Sequence, residues 1–306
     1  MNALVDHLAS ELDPEVVHLS NALLVGIAPA LKKRCRATVA CTLQDEDTWL
    51  DAMRAPYDER CRERIREAGA AVDVFIPVSR FYAARMAEDF GLPADKMVVV
   101  PPGVDVDAYA GPPSSPEVPT VGFLSQITSV AGVDRFVEAV LLLRQRPGWE
   151  GVQPRITGGP GPEKGLIRRL RKRLRSAGLD DDGVFVAEAF KGEERLAFLR
   201  SLSVLSVPSR HPEAFGHFIL EAMAAGVPVV QPNIGAYPEV LAHAPDWLYE
   251  PNTAEALADT WQRVLTDTTR TQEAVEAGRR RVRETHSLEQ TATGMVAAYA
   301  QQTARN

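Results

Sequence analysis

The chain has 306 residues and a formal net charge of −7, with 45% hydrophobic and 25% charged residues. This length suits two ordinary domains, and the acidic balance argues against general nucleic-acid binding, which needs a basic surface. No apolar run approaches the roughly twenty residues that a membrane-spanning helix needs. The cysteines Cys35, Cys41 and Cys61 lack metal-type spacing, so we expect reduced thiols in a cytosolic protein and no metal site.

Strand-like and helix-like segments alternate along the chain, which is typical of an α/β fold with mainly parallel sheets. The first half opens with an acidic amphipathic helix. After that helix, the sequence predicts strands at 16–19, 38–43, 74–78 and 97–100, with helices at 21–34, 56–69 and 79–90 between them. Ser79 is a suitable N-cap for the last of these helices.

A stretch dense in proline and serine, residues 111–119, predicts an exposed linker. Beyond it the sequence predicts six strands separated by helices, near 120–124, 154–157, 184–186, 204–207, 227–231 and 247–249. We therefore predict a first domain at 1–110, a second at 120–284 and a terminal helical segment at 285–306.

The most informative run spans residues 209–241 and reads SRHPEAFGHFILEAMAAGVPVVQPNIGAYPEVL. Gly216 permits close approach of the backbone to a ligand, and a helix is predicted over 216–225. The free N–H groups at the start of that helix form an anion site suited to a phosphate. Glu213 is predicted before this site and Glu221 beyond it, which suits a sugar on one side and a ribose on the other.

This run resembles the retaining family 4 glycosyltransferases of the GT-B fold. It has their E-x7-E spacing, with F-G after the first glutamate and E-A-M-A-x-G-x-P-V-V after the second. The resemblance implies two Rossmann-like domains with parallel sheets and a terminal helix that packs back on the first domain. Nothing before Val16 supplies the strand and glycine-rich loop that open the family's first domain, so we expect an abbreviated N-terminal domain.

The resemblance also implies the reaction. A hexosyl group moves from a nucleotide-diphosphate sugar to an acceptor, with retention of the anomeric configuration and without a metal or other cofactor. The acceptor class, whether saccharide, lipid or small molecule, stays open. No nucleic-acid partner is expected.

Several residues receive roles by this resemblance. Glu213 meets the donor sugar and Glu221 the ribose hydroxyls. The remaining expected donor-site residues line the diphosphate and the base: Phe215, Gly216, His217, Ser209, the turn at Gly158 and Gly159, Gln126 and Phe190. The alternatives at Phe190 and the glycine turn are ordinary core packing and an ordinary βα turn.

One departure from the family's pattern concerns the cations that neutralise the leaving diphosphate. Gln126 and Ala131 stand where the family carries an arginine and a lysine. Losing one electrostatic stabiliser in a dry site costs about 3–4 kcal/mol of transition-state binding. The alternative function is therefore a non-catalytic or impaired relative that binds nucleotide sugars. Arg135, in the helix that follows, is a candidate substitute cation.

Two further segments carry open alternatives. Gln44 lies at the end of a predicted strand, and the resemblance aligns it with a histidine that faces the reacting sugar. Asp45, Glu46 and Asp47 follow, where open parallel sheets bind ligands, and they either hold acceptor hydroxyls or form a solvated loop that caps the next helix. The helix within 163–178 carries seven basic residues, which predicts either a solvated outer face or peripheral contact with the inner membrane. The expected location is cytoplasmic.

Overall fold

The computed structural model describes residues 2–112, 116–179, 184–186 and 192–303. The chain forms two compact units, one of Met1–Pro102 with Leu288–Asn306 and the other of Gly103–Ser287. The division between the units at Gly103 precedes the stretch 111–119 that the sequence predicts as a linker. The predicted base-contacting residue Phe190 lies outside the described residues.

The first unit contains a parallel sheet of three strands in the order β1 (Val16–Leu19), β2 (Thr38–Leu43), β3 (Val74–Pro77). Every residue of β2 and β3 is buried, because these two strands are covered on both faces. The predicted fourth strand at 97–100 is absent as a regular strand. The segment still runs beside β3, where the Val98 N–H donates to the Phe75 carbonyl at 2.9 Å, but two prolines without N–H groups follow at once.

Six α-helices belong to this unit's described residues: α1 (Asn2–His7), α2 (Ala28–Arg34), α3 (Glu46–Asp51), α4 (Tyr57–Gly69), α5 (Arg80–Phe90) and, from the end of the chain, Leu288–Thr303. The Ser79 side chain caps α5 by accepting from the Tyr82 N–H at 3.0 Å, as predicted. The terminal helix buries Ala298 against Ala40, Val74 and Ile76 of the sheet.

The second unit contains a parallel sheet in the order β6 (Phe185–Val186), β5 (Gln153–Thr157), β4 (Thr120–Leu124), β7 (Val204–Leu205). A bridge from Leu205 to Val229 leads to a further parallel pair, β8 (Gln231–Pro232) and β9 (Leu248–Tyr249). The fold is therefore α/β with parallel sheets, as the sequence predicts. The described residues of this unit also form seven α-helices: α6 (Val133–Arg144), α7 (Leu166–Ser176), α8 (Gly192–Arg200), α9 (His217–Ala225), α10 (Tyr237–Val240), α11 (Ala254–Thr266) and α12 (Thr268–Thr285). The terminal helix Leu288–Thr303 of the first unit is α13.

Helix α7 separates apolar from basic side chains completely. Leu166, Leu170 and Leu174 are buried, because their spacing places them on one face. The opposite face exposes six basic residues: Arg168, Arg169, Arg171, Lys172, Arg173 and Arg175. Within the described ranges, no helix has both the length and the apolar character needed to cross a membrane.

Candidate functional site

Three loops of the second unit leave the same edge of its sheet, because β4, β5 and β7 are parallel neighbours. Backbone hydrogen bonds join them. The Ile127 N–H after β4 donates to the Gly159 carbonyl after β5 at 2.9 Å, and the Arg210 N–H after β7 donates to the Val130 carbonyl at 2.8 Å. The loop after β4 is therefore held on both sides.

Two glycines make this close approach possible. Gly158 has a φ of 147°, and a Cβ built there overlaps the Ser125 carbonyl oxygen. Gly132 has a φ of 81°, and its Cβ overlaps the Pro208 carbonyl oxygen. Only glycine combines these dihedral angles with so little space. At Gly159 and at Gly151, by contrast, no atom of the described residues lies within 4 Å of a Cβ position.

We expect Gly158→Ala to weaken binding of any ligand held by these loops at least tenfold, because the loop after β4 must move away from the turn. The matched control is Gly151→Ala in the same unit, whose new methyl group meets no described atom and which has no proposed role in binding. Calorimetric titration of both variants measures the difference. Equal affinities for the two variants would show that the packing of Gly158 on Ser125 does not position the site.

Helix α9 begins at Gly216, whose φ of 84° turns the chain into the helix, and ends at Gly226 with a φ of 77°. Among the residues that the structure describes, no side chain caps its start, so its first N–H groups point outward from the helix end. Phe215 is buried, and its ring lies 5.7 Å from that of His286. His217 is exposed at the first helical position. The helix that the sequence predicts over 216–225 is therefore present, and the anion site at its start stays a prediction.

Glu213 lies half-buried in the loop before α9, and its backbone is fixed by a second segment. The Ala236 N–H donates to the Glu213 carbonyl at 3.1 Å. A Cβ at Gly235 would lie 2.7 Å from both the nitrogen and the oxygen of Glu213, so this segment packs directly on it. Sequence reasoning missed Gly235, although a glycine shortly before a proline signals a turn.

Glu221 is buried on α9 and is held by two side chains that the sequence did not single out. Arg195 Nε lies 2.9 Å from Glu221 Oε2, and Arg195 Nη2 contacts the same oxygen. The Tyr109 hydroxyl donates to Glu221 Oε1 at 3.0 Å. Burial and then the Glu221 charge raise the pKa of Tyr109 to about 12, so this hydroxyl stays a donor at neutral pH.

Ser209 and Arg135 belong to the framework of the loop after β7. The buried Ser209 hydroxyl donates to the His211 carbonyl at 2.8 Å, and the Ser209 carbonyl accepts from Asn252 Nδ2 at 2.8 Å. Arg135 Nη1 donates to Asn252 Oδ1 at 2.7 Å and to the Pro208 carbonyl at 3.2 Å. Arg135 is therefore engaged in holding this loop rather than free to replace a missing cation.

Gln126 is exposed and Ala131 is buried in the loop after β4. Another cation lies next to this loop. Arg210 donates to the Ser129 carbonyl and forms a two-pronged ion pair with Asp134, at 2.7 and 2.9 Å. The charge of Arg210 is thus largely balanced by that carboxylate.

The acidic loop of the first unit, residues 44–47, has two accessible residues followed by two buried ones. Gln44 is exposed and Asp45 half-buried with a φ of 55°, an unusual value for a residue other than glycine. Glu46 and Asp47, expected either to hold acceptor hydroxyls or to form a solvated loop, are 1% exposed. The Tyr82 hydroxyl lies 2.8 Å from Glu46 Oε2 and 3.0 Å from Asp47 Oδ1, so the two carboxylates share its single proton. Glu46 also accepts from the Ala22 N–H at 2.8 Å. Glu46 and Asp47 are therefore structural.

Two histidines of the second unit are uncharged at neutral pH. Burial, and secondly the nearby charge of Arg281, lower the pKa of His243 and of His286 to about 4 from 6.5. The unfolded chain then binds more protons than the folded chain between these values. Their contribution to stability is complete above about pH 6.5 and is lost as the pH falls toward 4.

We therefore expect the denaturant midpoint of unfolding to fall between pH 7 and pH 5, and His286→Phe to reduce that fall. Phenylalanine keeps the ring against Phe215 and cannot take up a proton. Denaturation followed by fluorescence at both pH values measures the effect. The same pH dependence in wild type and variant would show that His286 contributes nothing to it.

Comparison with known proteins supplies the family. Residues 118–267 match the model described as "Glycosyl transferases group 1", and residues 1–108 match "Glycosyltransferase Family 4". The chain is 30% identical over 220 residues to a D-inositol 3-phosphate glycosyltransferase of Jonesia denitrificans, covering 67% of this chain and 51% of that protein. It is 32% identical over 235 residues to a GDP-mannose-dependent alpha-(1-6)-phosphatidylinositol monomannoside mannosyltransferase of Mycobacterium tuberculosis, covering 71% and 59%. The chain thus spans little more than half the length of these relatives.

Solved structures share the fold. A glycosyltransferase from Rickettsia africae superposes with a TM-score of 0.78 at 20% identity, covering 100% of this chain and 80% of that one. Anabaena Alr3699/HepE, solved in complex with UDP, superposes with a TM-score of 0.82 at 16% identity, covering 98% and 81%. The GT-B-type α/β fold predicted from the sequence is confirmed by these neighbours. The two matched segments span most of the chain, which therefore carries a Glycosyltransferase Family 4 domain followed by a glycosyl transferases group 1 domain.

Proposed function

We propose that this protein transfers a hexosyl group from a nucleotide-diphosphate sugar to an acceptor, with retention of configuration and without a metal. The observation that carries the proposal is the turn from Glu213 into α9. The start of α9 has no capping side chain among the described residues, and it follows the loop after β7. Close packing at Gly132 holds that loop against the loop after β4, and close packing at Gly158 holds the loop after β4 against the turn after β5. A helix start of this kind binds anions, and a diphosphate is the anion that a donor sugar brings.

In this proposal the start of α9, with Phe215, Gly216 and His217, and the Gly158–Gly159 turn bind the diphosphate. Glu221 binds the ribose. Glu213 orients the donor sugar and stabilises the positive charge that develops at its anomeric carbon as the leaving group departs. Phe190 against the base stays a prediction.

The relatives support the class of donor and suggest where to begin with the sugar. One is named as GDP-mannose-dependent, and the structural neighbour was solved with UDP and, in another crystal, with UDP-glucose. Mannosyl transfer is therefore the first reaction to test. The names of the two sequence relatives, a D-inositol 3-phosphate glycosyltransferase and a phosphatidylinositol monomannoside mannosyltransferase, make inositol phosphates and inositol lipids the first acceptors to test.

On the acceptor side we propose Gln44 and Asp45, at the carboxyl end of β2, where open parallel sheets bind ligands. We also propose that the basic face of α7 contacts an anionic membrane peripherally. Each basic residue near such a surface adds about 1 kcal/mol to the binding free energy. Sedimentation with anionic vesicles, against neutral vesicles as the control, tests it.

A second candidate is a non-catalytic binder of nucleotide sugars. The observation that favours it is the small amount of available positive charge around the loop after β4. Gln126 and Ala131 carry no charge, and Arg210 is balanced by Asp134. Arg135 keeps its charge, but Asn252 and the Pro208 carbonyl hold its guanidinium in the loop framework. This arrangement offers a leaving diphosphate less positive charge than the family's arginine and lysine would.

The test is turnover with GDP-, UDP- and ADP-sugars, measured as nucleotide release with and without the acceptors named above, beside thermal shifts with the free nucleotides. Ligands that bind the folded state raise the melting temperature by mass action. Acceptor-dependent release of one nucleoside diphosphate supports the transferase. A thermal shift without any release favours the non-catalytic binder, and neither signal would sink both candidates.

A further inference from the structure

Three protein donors already surround the carboxylate proposed to bind ribose. Arg195 Nε lies 2.9 Å from Glu221 Oε2, and Arg195 Nη2 contacts that same oxygen, while Tyr109 donates to Oε1 at 3.0 Å. The Glu221 side chain is only 9% exposed. Water is therefore largely excluded, and protein or ligand donors must satisfy its oxygens.

A carboxylate offers about four lone-pair positions, two on each oxygen. Arg195 occupies both positions on Oε2, and Tyr109 occupies one on Oε1. No fourth donor reaches Glu221 from the part of the chain that the structure describes. One acceptor position therefore remains, on Oε1.

We infer that Arg195 and Tyr109 are positioning residues that hold Glu221 so that a single ribose hydroxyl of the nucleotide, rather than both, donates to Oε1. The inference rests on the proposed function, since it concerns the same nucleotide. Oε1 is then the carboxylate oxygen that binds the ribose, and it accepts from one hydroxyl only.

Both positioning residues are themselves held. Arg195 projects from α8 with a quarter of its side chain exposed, and its planar guanidinium places two donors on one oxygen in a fixed orientation. Tyr109 precedes two backbone carbonyls that are fastened by arginines, Ala110 by Arg200 and Gly111 by Arg279 at 2.6 Å. A site with a fixed acceptor rejects an analogue that lacks the matching hydroxyl.

The experiment is a calorimetric titration of the whole chain. The first ligand is the nucleoside diphosphate, among GDP, UDP and ADP, that gives the largest thermal shift. The other two ligands are the 2′-deoxy and 3′-deoxy forms of that nucleotide. We expect one deoxy form to bind wild type at least about tenfold more weakly than the ribonucleotide, since a hydrogen bond to a charged group is lost. The other deoxy form should bind within about threefold, because its missing hydroxyl has no acceptor on Glu221.

Arg195→Met removes the two donors on Oε2 and keeps a side chain of similar length. The unequal response to the two deoxy forms should then disappear, while affinity for the weaker deoxy form stays within about threefold of wild type. The matched control is Arg263→Met, which removes an arginine of the same unit that bonds the Asp246 carbonyl at 3.0 Å, far along the chain from Glu221. It should retain the wild-type pattern, and melting curves establish that both variants fold.

Equal losses for the two deoxy forms in wild type would overturn the inference, as would an unchanged pattern in Arg195→Met. Tighter ribonucleotide binding by Arg195→Met would overturn it too, since Arg195 would then compete with the ribose. Binding of none of the three nucleoside diphosphates by wild type is a distinguishable result, because it removes the proposed function as well.

Discussion

Glu213→Gln is expected to lower kcat for hexosyl transfer by about a hundred- to a thousandfold, with little change in KM. The amide has the size of the carboxylate and still forms hydrogen bonds to the sugar, so donor binding is largely kept. It lacks the negative charge that, in the proposed mechanism, stabilises the positive anomeric carbon, an interaction that would exist only in the transition state. Initial rates of nucleotide release under saturating donor measure the change.

Glu239→Gln is the matched control for this substitution. Glu239 is also half-buried in the second unit, in the first turn of α10, and the chemical change is identical. We expect near-wild-type turnover from it. If Glu213→Gln folds, binds nucleotide and turns over at the wild-type rate, the role assigned to Glu213 is wrong.

Gln126→Arg is expected to raise kcat at least tenfold, by returning one of the two cations that neutralise the leaving diphosphate. The position is favourable, because the flanking N–H groups are held: Ser125 donates to the Thr157 carbonyl at the end of β5 at 3.3 Å, and Ile127 donates to Gly159 in the loop after β5 at 2.9 Å. Gln126 itself is exposed, so a longer side chain has room. The neighbouring Ala131 is buried, and a lysine there would need to displace its neighbours.

The control for charge is Gln126→Glu, which should lower kcat below wild type by repelling the diphosphate. Steady-state rates for the three proteins with the donor that turns over fastest give the comparison. Equal rates for arginine, glutamine and glutamate would show that the leaving group does not pass near this residue. Gln126 would then have no place in the donor site.

Much of the fold followed from local signals. The strands at 16–19 and 38–43 are found at the predicted residues, because short runs rich in β-branched and apolar residues indicate strands without tertiary information. The predicted helix 21–34 is instead a 3₁₀ segment, Ala22–Ile27, followed by α2. Pro29 explains the change, since it lacks an N–H for a continuous helix and favours the first turn of a new one.

The sequence by itself determined the loop position of Glu213, the helical position of Glu221 and the glycine at each end of α9. These depend on helix period and cap chemistry, which act within a few residues. Only the tertiary structure decided what surrounds them. Tyr109 and Arg195 reach Glu221 from 112 and 26 residues away, and no local pattern marks such partners. The burial of Glu46 and Asp47 was missed for the same reason, since both open alternatives placed them at an accessible loop and the tyrosine that contacts them stands on another helix.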